Sequence, residues 1–218
     1  MDVYRTEEEQ VAALQSWWRE NGLQVVAGVL IALGALGGWK WYQHKDTTHR
    51  VEASALYDAL LDTMQTVGEQ GNAEESNTRF RALALQLTDE YGDTSYGQFA
   101  RLMLARQAAD NGDYASAEQQ LRDALAHAGD PALEVIVANR LARVVSAQGR
   151  HDEALTLLAG DVAAALVAGR EETRGDILVA AGRRDEARAA YLKAMGATDA
   201  AGGTRPLLSM KLDYVGGQ

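Results

Sequence analysis

The sequence predicts an all-α chain, with one apolar helix near the N-terminus and a stack of paired helices after it. Three observations predict it. Residues 23–42 read LQVVAGVLIALGALGGWKWY, with no charged side chain before Lys40. Downstream, one phrase recurs at helical-hairpin spacing: NGDYASAEQQL from Asn111, QGRHDEALTLL from Gln148 and AGRRDEARAAY from Ala181. Only 2 prolines and 6% aromatics accompany heavy use of alanine. Alanine loses no side-chain entropy in a helix, and few large aromatic side chains are present to fill a pleated surface.

The totals exclude several functions. The net charge is −10, and beyond Tyr42 there are 18 Lys/Arg against 26 Asp/Glu. A nucleic-acid partner needs a basic stripe to displace counterions from phosphates, and no such stripe is present. The absence of cysteine rules out disulfides, thiolate metal sites and cysteine nucleophiles.

Residues 1–22 read as a short tail. Thr6 with Glu9 three positions on forms a capping box that opens a helix. Val11, Leu14 and Trp18 then share one face. The tail can be solvated, or it can lie among lipid headgroups, where Trp17 and Trp18 would sit naturally.

Residues 23–42 are expected to form a transmembrane helix. About 20 apolar residues rise roughly 30 Å, the thickness of a bilayer's hydrocarbon core. Trp17 and Trp18 mark one boundary, and Trp39, Trp41 and Tyr42 the other, as in the aromatic belts of membrane helices. The segment before the span is long and acidic, and an aromatic belt follows the small residues Ala32, Gly34 and Ala35. Those features predict a retained signal-anchor, not a cleaved leader. Arg5 and Arg19 precede the span while Lys40, Lys45 and Arg50 follow it, a difference of one that leaves orientation open. Gly34 and Gly38 form a GxxxG, and Ala27 extends the same face, where a second helix backbone can approach closely.

Residues 43–50 are expected as a linker and 51–218 as the folded domain. Residues 51–67 and 78–91 form a first helical pair, broken around Gly71-Asn72, with Phe80 at its bulky position. In the three clear repeats the turn glycines Gly112, Gly149 and Gly182 stand 37 and 33 residues apart. Each has an alanine five positions on (Ala117, Ala154, Ala187) and a bulky residue nine positions on (Leu121, Leu158, Tyr191). The helix before each glycine carries matching pairs: Leu104-Ala105, Leu141-Ala142 and the weaker Arg174-Gly175. Glycine ends one helix in a left-handed conformation, alanine lets the next helix pack closely, and the large residue fills the gap one turn later. A period of about 34 residues with this pattern is the tetratricopeptide (TPR) signature. Asp130-Pro131 falls where such a repeat ends. Residues 205–215, with Leu207, Leu208, Met210 and Leu212, are expected as a helix capping the stack.

No catalytic, cofactor-binding or metal-binding constellation is legible. His44, His49, His127 and His151 share no HxH or HExxH spacing, and no GxSxG, P-loop or GxGxxG occurs. Binding remains. Counting from the turn glycines, Phe99, Leu102 and Arg106 of one repeat, and Ile136, Asn139 and Arg143 of the next, are expected on the face that the first helices of TPR repeats turn inward. Arginine offers a fixed fork of donors and asparagine both a donor and an acceptor, so the set can grip a carboxylate or a peptide backbone. Alternatively, Arg106 and Arg143 pair with acidic neighbours.

Read in order, these features resemble the YfgM family, ancillary subunits of the bacterial SecYEG translocon. The resemblance runs from Tyr4 and Glu7 to Gln10, through Trp18-Arg19-Glu20-Asn21-Gly22 and Gly38-Trp39. It continues through Asn139-Arg140-Leu141-Ala142-Arg143-Val144, Arg174-Gly175-Asp176 followed by Gly182, and Met210-Lys211-Leu212. It implies a non-enzymatic, single-pass protein of the inner membrane, with a cytoplasmic N-terminus and a periplasmic TPR-like domain. That orientation is opposite to the charge count. The implied partners are the SecYEG translocon, a PpiD-like periplasmic chaperone and newly exported client proteins. Two other readings compete on the residues alone: a TPR adaptor organising cell-wall or division assembly, and a membrane-anchored stress-signalling regulator acting through its tail.

Overall fold

The computed structural model describes residues 7–66, 73–201, 203 and 205–217. Among them are nine helices and no strand: α1 Glu7–Thr66, α2 Ala73–Glu90, α3 Ser95–Asp110, α4 Tyr114–Ala126, α5 Pro131–Ala147, α6 His151–Leu157, α7 Ala164–Ala180, α8 Arg184–Ala200 and α9 Pro206–Gly216. Thr6 of the expected capping box and the break at Gly71-Asn72 lie outside the described residues. The chain forms two compact units, Met1–Glu52 and Ala53–Gln218.

The first unit is the N-terminal part of α1. Residues 43–50, expected as a linker, are helical instead, because α1 continues unbroken to Thr66. The stretch QHKDTTHR holds neither glycine nor proline to stop a helix, and Thr47 Oγ1 donates to the Gln43 carbonyl one turn back at 2.8 Å. Leu23, Val26, Val29, Leu30, Ile31, Leu33 and Leu36 are all exposed. Within Gln10–Met64 this helix is long and apolar enough to cross a membrane. A run of large apolar side chains left uncovered by protein is what lipid contact requires.

The second unit is built from helical hairpins whose turns obey one rule. Gly112, Gly149 and Gly182 have φ of 77°, 80° and 76°, in the left-handed region that a Cβ disfavours. Each glycine N–H donates three residues back, to Ala109, Ser146 and Val179. The next N–H reaches five back, from Asp113 to Ala108, Arg150 to Val145 and Arg183 to Leu178. These paired bonds close the last turn of a helix and reverse the chain. At the other end of a hairpin, Asp130 accepts from the Ala132 N–H at 2.8 Å with Pro131 opening α5, a side-chain cap followed by a residue whose φ is already helical.

Close packing follows from the alanines. Ala117, Ala154 and Ala187 are completely buried, and Leu121, Leu158 and Tyr191 nearly so. The main core runs from α3 to α7. The C-terminal end of α1 joins α2 and α3 in a second core, with Phe80 buried beside Ala53 and Leu60. Residues of α7, α8 and α9 form a third. The hairpin of α6 is shorter than its sequence phrase suggests: the helix stops at Leu157, and Gly160 turns the chain with φ of 89°. Arg170 of α7, buried, donates to the Ala159 carbonyl at 3.3 Å and satisfies the freed backbone.

The alanine rule carries a prediction. Ala154→Trp has no room on α6, and overpacking a filled core costs about 1–3 kcal/mol for a few methylenes and more for an indole. Ala201→Trp is exposed after α8 and should be within about 0.5 kcal/mol of wild type. Thermal melts of the two full-length variants should rank them in that order by several degrees.

Candidate partner-binding face

On α3, α5 and α7 the residues 13, 10 and 6 positions before each turn glycine fall on one helical face, since i, i+3 and i+7 lie above one another. They are Phe99, Leu102 and Arg106 on α3, Ile136, Asn139 and Arg143 on α5, and Gly169, Glu172 and Asp176 on α7. The face is apolar and basic on the first two helices and acidic on the third.

Phe99 and Ile136 leave 43% and 41% of their surface exposed, at one register position on successive repeats. The Phe99 ring sits 6.1 Å from that of Tyr57 on α1, which in turn is 5.4 Å from Tyr96. This aromatic group is assembled from two helices, and Tyr57 was not legible as part of it. Leu102, expected at the surface, is only 7% exposed and packs in the main core. It stands one turn before Ala105, and the apolar stripe of α3 is wide enough to carry it inward. Leu102 is therefore a packing residue.

Both arginines pair with acidic neighbours. Arg106 Nε lies 3.5 Å from Asp110 one turn on, with both side chains largely exposed. Arg143 donates to Thr173 Oγ1 at 3.0 Å and lies 3.8 Å from Asp176. Exposed ion pairs of this kind are worth about 0–1 kcal/mol, so Arg106 can exchange its partner at little cost. Its side chain borders a cleft of about 300 Å³ floored by Met64, Phe80 and Met103. Asn139 is partly buried, and its Oδ1 accepts no hydrogen bond among the described residues.

The third helix is internally satisfied. Lys211 of α9 donates to Glu172 and Asp176, each at 2.9 Å, and Arg205 donates to Glu172 at 2.5 Å. Burial works against charge on Glu172, yet its hydrogen bonds from Lys211 and Arg205 hold the carboxyl below its ordinary range. The Tyr191 hydroxyl donates to Asp176 at 2.9 Å. Burial first, and then that carboxylate, push its pKa far up. These groups fasten α9 to α7 and leave little charge free there.

A second network ties successive hairpins. Glu118 of α4 accepts hydrogen bonds from Gln148, Arg122 and Arg150, and Glu153 of α6 accepts from both arginines. Burial alone would raise the Glu118 pKa, but those hydrogen bonds win and bring it from 4.5 to about 2. A depressed carboxylate stabilises the fold fully above its ordinary pKa, and that contribution is lost as pH falls through the lowered one. The wild-type melting temperature should therefore drop between about pH 4.5 and 2, and Glu118→Gln should shrink that drop while lowering the value at pH 7. Melts across that pH range check it.

In the first unit Ala27, Gly34 and Gly38 are exposed, and a Cβ built on either glycine would meet nothing within 4 Å. Among the described residues no three His, Asp or Glu side chains gather as a metal site would require.

The chain matches a tetratricopeptide repeat-like domain family over residues 15–217. It is 31% identical over 193 residues to a Haemophilus influenzae protein named ancillary SecYEG translocon subunit, covering 88% of this chain and 90% of that one. An Escherichia coli (strain K12) protein of the same name is 31% identical, with 88% of each chain covered. Another, from Neisseria gonorrhoeae, is 29% identical with 98% and 99% covered. Hairpins closed by left-handed glycines, a family match across nearly the whole chain and relatives aligned almost end to end agree: the chain belongs to the YfgM family of ancillary SecYEG translocon subunits.

Proposed function

We propose that this protein is an ancillary subunit of the SecYEG translocon, anchored in the bacterial inner membrane by α1. Its N-terminal tail is cytoplasmic and its helical domain periplasmic, where it works with a PpiD-like chaperone on newly exported proteins. It acts by binding, without catalysis. The observation that carries this reading is the pair of exposed apolar side chains, Phe99 and Ile136, at one register position on successive repeats in a chain whose relatives bear that name.

The division of labour is physical. Phe99, Ile136 and the Tyr57 ring supply apolar area, while Arg106 and the Asn139 amide give direction to a peptide or side-chain partner. Arg143 serves by holding α5 to α7 through Thr173 and Asp176. In the membrane, the Ala27, Gly34 and Gly38 face admits a translocon helix at short distance.

Photo-crosslinking amino acids placed at Phe99 and Ile136 in living cells test this. They should capture a translocon subunit or the chaperone, whereas the same probe at exposed Leu192, on α8, should not. Capture from Leu192 alone would put the binding surface elsewhere.

A further inference from the structure

We propose that the exposed side of α9 is a docking site for an amphipathic helix of a partner protein, apolar on one face and acidic along one edge. α9 has two apolar stripes. Leu208, Leu212 and Val215 pack into the core shared with α7 and α8. Leu207, Met210 and Tyr214 recur at the same helical spacing but are 60%, 66% and 63% exposed. A helix whose second side faces water is ordinarily polar there.

Position in the stack says what fits. α5 packs between α4 and α6, and α7 is covered by α6 and α8, whereas α9 packs on α8 and is tied to α7 through Lys211 and Arg205, leaving the Leu207, Met210 and Tyr214 face exposed. Beside the stripe lies a hollow of about 300 Å³, bordered by Val179, Tyr191, Met210 and Tyr214 and by the paired Lys211 and Asp176, with room for one side chain of the incoming helix.

Charge says what kind of helix. The Arg184 guanidinium stands 5.4 Å over the Tyr214 ring, and Arg188 reaches the end of α9 at Gly216. The ion pairs of this end run through Arg183, Arg205 and Lys211, and leave Arg184 and Arg188 without a carboxylate partner among the described residues. In a chain of net charge −10, two unpaired arginines beside an apolar stripe are a local positive edge. Glutamates or aspartates flanking an apolar stripe are its complement. Asp213 borders the stripe on α9 itself, so the match is with a helix acidic on one edge and not on both.

The site stands apart from the translocon reading, because docking can be read on the purified full chain in lipid nanodiscs. The probes are two labelled helical peptides with one leucine stripe, flanked by glutamate in one and lysine in the other, titrated by fluorescence anisotropy at low salt. The glutamate peptide should bind about tenfold tighter or more, and Leu207→Ser with Met210→Ser should weaken it by at least about tenfold. Arg184→Glu with Arg188→Glu should reverse the preference. All four positions are exposed, so melting temperatures should stay near wild type, and Leu192→Ser should change nothing. Equal binding of both peptides, or affinities indifferent to these substitutions, would overturn the proposal. So would a disulfide-linked dimer of Met210→Cys, the only thiol in such a variant, since a second copy would then cover the stripe.

Discussion

Gly175→Ala should destabilise the protein by about 1–3 kcal/mol, seen as a fall of roughly 2–4 °C in melting temperature per kcal/mol for a chain of this size. The cause is one contact. A Cβ on Gly175 would lie 2.2 Å from Tyr191 Cε1, deep inside the distance any real pair allows. The ring has nowhere to retreat, being buried in the third core with its hydroxyl held by Asp176. The two earlier repeats place Ala105 with Leu121, and Ala142 with Leu158, at these positions. A smaller residue on one helix thus accompanies a larger one on the other, and Gly175 with Tyr191 is the extreme case. Tyr191→Leu alone should also destabilise, through a cavity and a lost hydrogen bond. In that background Gly175→Ala should reverse sign and raise stability by about 0.5–1 kcal/mol, the ordinary gain of alanine over glycine inside a helix. A double-mutant cycle of full-length melts measures the coupling, and additive effects would mean the two residues do not share this space.

Leu30→Arg combined with Leu33→Arg should expel the protein from the membrane. Both leucines are exposed in the middle of the apolar stretch of α1. Each arginine at the centre of a span costs about 2.5–3.5 kcal/mol on insertion scales, and more on others. Synthesised in the presence of membrane vesicles, wild type should resist carbonate extraction and the double variant should be released. N-terminal sequencing of the membrane form should begin at Met1 or Asp2. A start near Gly37 would make α1 a cleaved leader.

Local chemistry explains what the sequence disclosed. Turn glycines, buried alanines and the Asp130-Pro131 cap act within one hairpin, and their spacing alone announced paired helices. The apolar run and its aromatic belts did the same for the first unit. What escaped depends on residues distant in the chain. Lys211 meets Glu172 and Asp176 only because α9 returns along α7, and Tyr57 meets Phe99 only where α1 crosses α3 in the second core. Leu102 is buried because the apolar stripe of α3 is wider than a single row of register positions. Residues 43–50 are polar as a linker would be, but polarity without glycine or proline does not end a helix. At Arg174-Gly175, the weaker pair in sequence, the Tyr191 ring fills the volume that glycine leaves.

A membrane-anchored stack of helical hairpins that binds the protein-export machinery should be recovered together with it. Affinity capture of the full chain from native membranes in mild detergent tests that association most directly. SecY, SecE and SecG should co-purify with the wild type, together with a membrane-anchored periplasmic chaperone, and the yield should fall when Phe99 and Ile136 are both changed to serine. Recovery of cell-wall or division proteins, with no translocon subunit at any salt concentration, would contradict it.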